Sequence, residues 1–238
     1  MPQRRSLPQL ATRVGVAAAV ALSSSALWAV SSTDSRAAVG ADAPDCYAED
    51  AVLTVEEQRI GQPLVEGGES VAAQFLRAAG FEEAVAQFAT DLCAAPDLAA
   101  AEALVVRSGE ALWELALARA QGERDIGTID RYDDRPLYWA RLHMTRAVRQ
   151  WEAPVEVSVV QRNALVHLLD YASRGLTPID WPEAPADARR VMISGFDTYS
   201  LDQSLRNSNP SGATALQLDG RTLETGPLDP RPFGAVEG

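Results

Sequence analysis

The 238-residue chain has a formal charge of −12, with 33 acidic residues against 21 basic ones, every one of them Arg. An acidic surface repels phosphate backbones and argues against generic nucleic-acid binding. A hydrophobic content of 47% argues against wholesale disorder, and the length suits one or two domains.

Residues 1–43 read as an export signal. Arg4, Arg5 and Arg13 make a basic start, and 14–30 is an apolar stretch of the length expected for export. Small-residue cleavage points follow at Ala29, Ala37, Ala41 and Ala43. The Arg4-Arg5 pair admits a twin-arginine route, and an uncleaved membrane anchor is the alternative to cleavage. A membrane role is expected only through this segment. Two cysteines, Cys46 and Cys93, lie in the exported part. In an oxidising compartment an even pair is most economically a disulfide, with two free buried thiols as the alternative. Closing that loop is worth ~3–4 kcal/mol in the chain-entropy model.

The next region, 44–175, reads as a helical domain, patterned over 52–175 with a period near 3.6. Val71, Phe75, Leu76, Phe81, Val85, Phe88 and Leu92 recur at helical spacing, and Gly80 divides two helices or caps the first. Asp97 is the natural N-cap of a long helix that stops at Gly122. A further helix is predicted over 135–151, with Pro136 tolerated in its first turn. The last runs from the cap Ser158 to about Arg174, closed by Gly175. Short loops between amphipathic helices predict a small bundle. Pro178, Pro182 and Pro185 make 176–190 a linker.

Chemistry-bearing residues are sparse in this bundle. His143 and His167 are the only histidines. His167 and Asp170 have a ligand-like i, i+3 spacing, but no third ligand has recognisable spacing, so no metal and no cofactor are expected. Cys93 stands in TDLCAAPD, without a glycine turn or oxyanion context for a nucleophile. Asp130, Asp133 and Asp134 read as a solvated loop rather than a calcium loop. Trp113, Tyr138, Trp139 and Trp151 read as core aromatics, with a binding groove as the other possibility.

The pattern then changes. Val191-Met192-Ile193-Ser194 predicts a short buried strand with Gly195 at its exit, and Asn209-Pro210 predicts a helix start, Asn209 capping and Pro210 in the first turn. That is the first strand and helix of an open α/β sheet, with Phe196 and Tyr199 on the loop at the strand's carboxyl edge.

Ser-Gly-Phe-Asp-x-Tyr followed by Asn-Pro-Ser resembles the opening of type I pyroglutamyl peptidases, α/β cysteine peptidases that remove an N-terminal pyroglutamate. The resemblance covers some thirty residues. It implies that Phe196 and Tyr199 wall a lactam pocket and that Asn209 and Pro210 start the supporting helix. Thr198 and Ser200 depart from the Pro and Gly usual in that family. The family's catalytic Cys and His have no counterpart, because no Cys or His follows Asn209. The expected fold is therefore mainly α, a helical bundle over 45–175, followed over 191–238 by the first β-strand and helix of a truncated α/β peptidase-like domain. The expected function is the amino-terminal portion of an exported pyroglutamyl-peptidase-like protein, catalytically incomplete and acting on pyroglutamyl peptides only if completed. The alternative is a non-enzymatic exported helical binding or interaction domain with a vestigial tail.

Overall fold

The computed structural model describes residues 46–177 and 189–222. The export-signal reading of 1–43, most of the linker and the tail 223–238 lie outside the described residues. Six α-helices are present: α1 (Val71–Ala79), α2 (Glu82–Cys93), α3 (Leu98–Ala120), α4 (Arg135–Gln150), α5 (Val159–Ala172) and α6 (Pro210–Leu218), with a 3-10 turn at Glu57–Gly61 before them.

Local chemistry sets most of these boundaries. The Ser70 side chain accepts from the Ala73 N–H, and Gly80 closes α1 in the left-handed region at φ 75°. Asp97 accepts from the Ala100 N–H at 2.8 Å to start α3. At α5, Ser158 and Gln161 form a reciprocal capping box. Asn209 accepts from Ser211 N–H, and Pro210 is the first residue of α6.

The centre of the bundle is α4, which packs against α1, α2, α3, α5 and the 3-10 turn. Trp139, Ala140 and Val148 are completely buried there, and Met144 almost so. Trp151, just past its end, is also core. α3 lies against α5 so closely that a Cβ on Gly109 would stand 2.6 Å from the Ala172 Cβ and 3.0 Å from the Leu169 carbonyl oxygen. Cys46 and Cys93 form a disulfide that joins the first described residue to the end of α2. Backbone bonds from Ala48 N–H to the Gln150 oxygen and from Glu152 N–H to the Cys46 oxygen lay the same strip across the end of α4.

The α/β expectation is overturned. Among the described residues there is no strand and no sheet, only two isolated bridges, Tyr47 to Trp151 and Pro63 to Ser70. Residues 191–194 have no regular structure, and Val191 and Met192 are 69% and 74% exposed. The β-branched run has the local propensity of a strand, but a strand forms only when neighbours take its backbone groups and cover its faces. None of the described segments does so. Gly195 serves a different purpose from the predicted strand exit. Its missing side chain lets the backbone lie on α6, where a Cβ would come within 2.7 Å of the Gly212 Cα.

The segment 189–222 folds back on the bundle instead. Leu201 and Leu216 are buried, and Gln121 donates to the Leu216 and Asp219 carbonyl oxygens at 3.1 and 2.8 Å. Gln217 donates to the Ala120 carbonyl oxygen, and Arg135 to that of Arg206.

Candidate functional site

A cleft of about 500 Å³ opens where four separate stretches of chain meet. One face of α4 supplies Tyr138, Arg141, Leu142, Thr145 and Arg149, spaced so that they share one stripe. The α5 side supplies Val166, His167, Asp170 and Arg174, the last just beyond the helix end. Residues 54–57 form a third wall, and Asp197 and Thr198 come from the C-terminal segment.

Ion pairs fix most of the charged side chains. The Arg141 guanidinium is 5% exposed as a residue, and its Nη1 donates to both Asp197 carboxylate oxygens at 2.9 Å. Its Nε donates to Ser173 Oγ at 3.1 Å. The same Asp197 carboxylate meets Arg174 Nη1 at 2.6 Å, while Arg174 Nε donates to Asp170 Oδ1 at 3.0 Å. Burial raises the Asp197 carboxyl, but Arg141 and Arg174 outweigh it and hold the group below its usual range. On the far wall the buried Glu57 accepts from Arg149 Nε at 2.7 Å and from the Thr54 N–H at 2.8 Å.

Some polar capacity is left over. The Tyr138 hydroxyl is buried without a hydrogen-bond partner, and burial pushes its pKa up. Nη2 of Arg141 and Nη2 of Arg174 take no hydrogen bond among the described residues. An aromatic hydroxyl and guanidinium edges around a concave space are groups that orient a polar ligand.

The residues singled out from sequence fall unevenly on this geometry. His167 and Asp170 do line the cleft together, yet no cluster of three potential metal ligands exists among the described residues. His143 is outside the cleft, in α4, with its Nε2 buried and unpartnered; burial and Arg146 lower it to about 4. Trp139 and Trp151 are core, and Tyr138 belongs to the cleft. Phe196 and Tyr199 are 73% and 65% exposed, whereas Asp197 and Thr198 between them line the cleft. The acidic loop is not simply solvated. Arg119, 3% exposed, donates to the carbonyl oxygens of Ile129, Asp130, Arg131 and Asp133, ordering the loop around one cation. Arg141 and Arg174, the centre of the site, carry no motif; only their place on the cleft-facing stripe distinguishes them.

In class, this is a disulfide-tied helical domain with a short C-terminal segment docked on it by an Asp–Arg anchor. The chain matches the family model described as the PA0049 N-terminal domain over residues 37–170, and that described as the PA0049 C-terminal domain over 190–228. It belongs to the PA0049 family. It is 42% identical over 198 residues to "Uncharacterized protein PA0049" of Pseudomonas aeruginosa, an alignment covering 72% of this chain and 36% of that protein. The chain thus spans about a third of the length of the curated relative it matches. No solved structure matches.

These matches correct the pyroglutamyl-peptidase resemblance and the function drawn from it. The residues that carry the likeness, 194–211, fall inside the PA0049 C-terminal domain and fold without a sheet. Both cysteine sulfurs are joined in the disulfide, so neither supplies a thiolate. None of the matches names a peptidase or a hydrolase. The disulfide is compatible with export, and among the described residues no helix is long and apolar enough to cross a membrane.

Proposed function

We propose that this chain is an exported, non-enzymatic helical binding module whose ligand enters the cleft between α4, α5, residues 54–57 and Asp197. One observation carries the reading. The cleft holds its charged groups in fixed orientation through ion pairs, yet leaves the Tyr138 hydroxyl without a partner. A buried unpaired hydroxyl costs about 1–3 kcal/mol, and a ligand acceptor or donor that reaches it as the side chains lining the cleft move aside recovers that cost on binding. The exposed rings of Phe196 and Tyr199 beside the cleft extend the contact surface. Export proceeds through a signal within 1–43. The helical domain spans 44–175 and is joined by the 176–190 linker to the C-terminal segment.

A thermal-shift panel tests the binding reading on the full exported chain. Small carboxylates, amino acids and sugars are titrated against the wild type and against Tyr138→Phe. At least one class is expected to raise Tm by a few degrees in a saturable way, with the half-saturation concentration several-fold higher for Tyr138→Phe. A flat response to every class would remove the reading.

A further inference from the structure

We propose that Arg141 and Arg174 form a receptor for a free carboxylate, and that Asp197 is its built-in occupant, displaced when a ligand's carboxylate enters the cleft. The inference rests on the binding reading above and specifies the ligand's chemistry. Its basis is where the positioning of the two guanidinium groups comes from. Arg141 is nearly buried in α4, and its Nε is held by Ser173 Oγ, which itself donates to the Asp170 carbonyl oxygen. Arg174 is aimed by its Nε bond to the Asp170 carboxylate. Both anchors belong to the α5 end of the bundle, and none to residues 189–222. Two forks held in this way present several N–H groups to one point, the arrangement that recognises a carboxylate.

Asp197 reaches that point from 56 residues away in sequence. It stands between Phe196 and Tyr199, whose rings are turned to solvent. It uses Nη1 of each arginine and leaves each Nη2 unbonded among the described residues. The carboxylate is about a quarter exposed, so the contact opens onto the cleft rather than lying sealed in the core. An occupant on the same chain competes intramolecularly with any free carboxylate. A free carboxylate therefore binds the intact protein weakly unless it also engages Tyr138.

Isothermal titration of the full chain with two probes tests this: succinate, a small-molecule carboxylate, and N-acetyl-Phe-Asp-Thr-amide, a peptide side-chain carboxylate. Asp197→Asn keeps the occupant's shape and removes its charge. At least one probe is expected to bind this variant tenfold or more tighter than the wild type, and the tighter of the two identifies the source. Adding Arg174→Gln is expected to reverse the gain by at least tenfold. Should a variant fail to fold, the wild type itself is titrated with succinate while the Arg141 Nε–H resonance is followed by NMR, and a saturable shift absent with sulfate at matched ionic strength is expected. Equal affinity of wild type and Asp197→Asn, undiminished binding after Arg174→Gln, or an unmoved Arg141 resonance would overturn the proposal. If a non-carboxylate class alone raises Tm in the panel and neither probe binds, this inference fails while the binding reading stands. No response to any class removes the reading itself.

Discussion

Asp134 stands before α4 with its carboxylate against α6: a Cβ placed on Gly212 would collide with Asp134 Oδ2. Burial, with Asp133 and Asp197 adding repulsion, raises its pKa to about 6. Between the ordinary carboxylate value near 4 and that figure, the folded state holds a proton that the unfolded chain has released, so stability falls as pH rises through this window. His143 acts in the opposite sense. Its folded-state pKa of about 4 leaves it neutral from there up to the ordinary histidine value, where the unfolded chain binds a proton. Stability rises with pH across that window. The two slopes therefore oppose each other between about pH 4 and 6. Asp134→Asn is expected to be more stable than wild type at pH 7 by about 1 kcal/mol, after discounting for the group's partial exposure. That gain should vanish near pH 4. His143→Leu is expected to abolish about 2 kcal/mol of acid destabilisation between pH 6.5 and 4. Urea denaturation at a series of pH values checks both, and pH-independent differences would contradict the assignment.

The helices show what local sequence determines. Ser70, Asp97, Ser158 and Asn209 each cap a helix, because a side-chain oxygen satisfies free N–H groups whatever the rest of the fold does. Helical periodicity over 71–172 was legible for the same reason. The run 191–194 reads as a strand and is not one, because its propensity is local while a strand's stability comes from partners, and here the segment lies exposed. The cleft was the least legible part. Glu57 meets Arg149 across 92 residues and Arg141 meets Asp197 across 56, pairings that no spacing rule connects. The close contact of α3 with α5 was equally hidden, since Gly109 inside a helix reads simply as a weak helix former. In an isolated helix Gly109→Ala gains about 1 kcal/mol. In this fold the added Cβ meets Ala172 and the α5 backbone, which have no flexible side-chain end to move aside. The expected result is a loss of about 1–3 kcal/mol, read as a lower Tm. A variant as stable as wild type would mean that the two helices do not approach this closely in solution.

At the scale of the whole molecule, residues 46–58 are held in place by bonds to the helices they cross. The disulfide joins this strip to α2, the Tyr47 hydroxyl donates to the Ala89 carbonyl oxygen at 2.6 Å, and the backbone bonds around Tyr47 and Trp151 tie it to the end of α4. Ten residues further on, the Glu57–Arg149 pair anchors the same strip as a wall of the cleft. The disulfide spans 47 residues of sequence, a loop whose closure is worth about 4 kcal/mol in the chain-entropy model. The α3, α4 and α5 core makes no use of that bond. Its removal therefore lowers global stability and first frees the strip, a sub-global opening with the helices still packed. Cys46→Ala/Cys93→Ala is expected to lose about 2–4 kcal/mol in urea denaturation. Hydrogen exchange should show residues 46–58 losing protection under native conditions while amides of α4 keep theirs. Uniform loss across both regions would mean that the strip and the bundle open as a single unit, and that the cleft wall is as rigid as the core behind it.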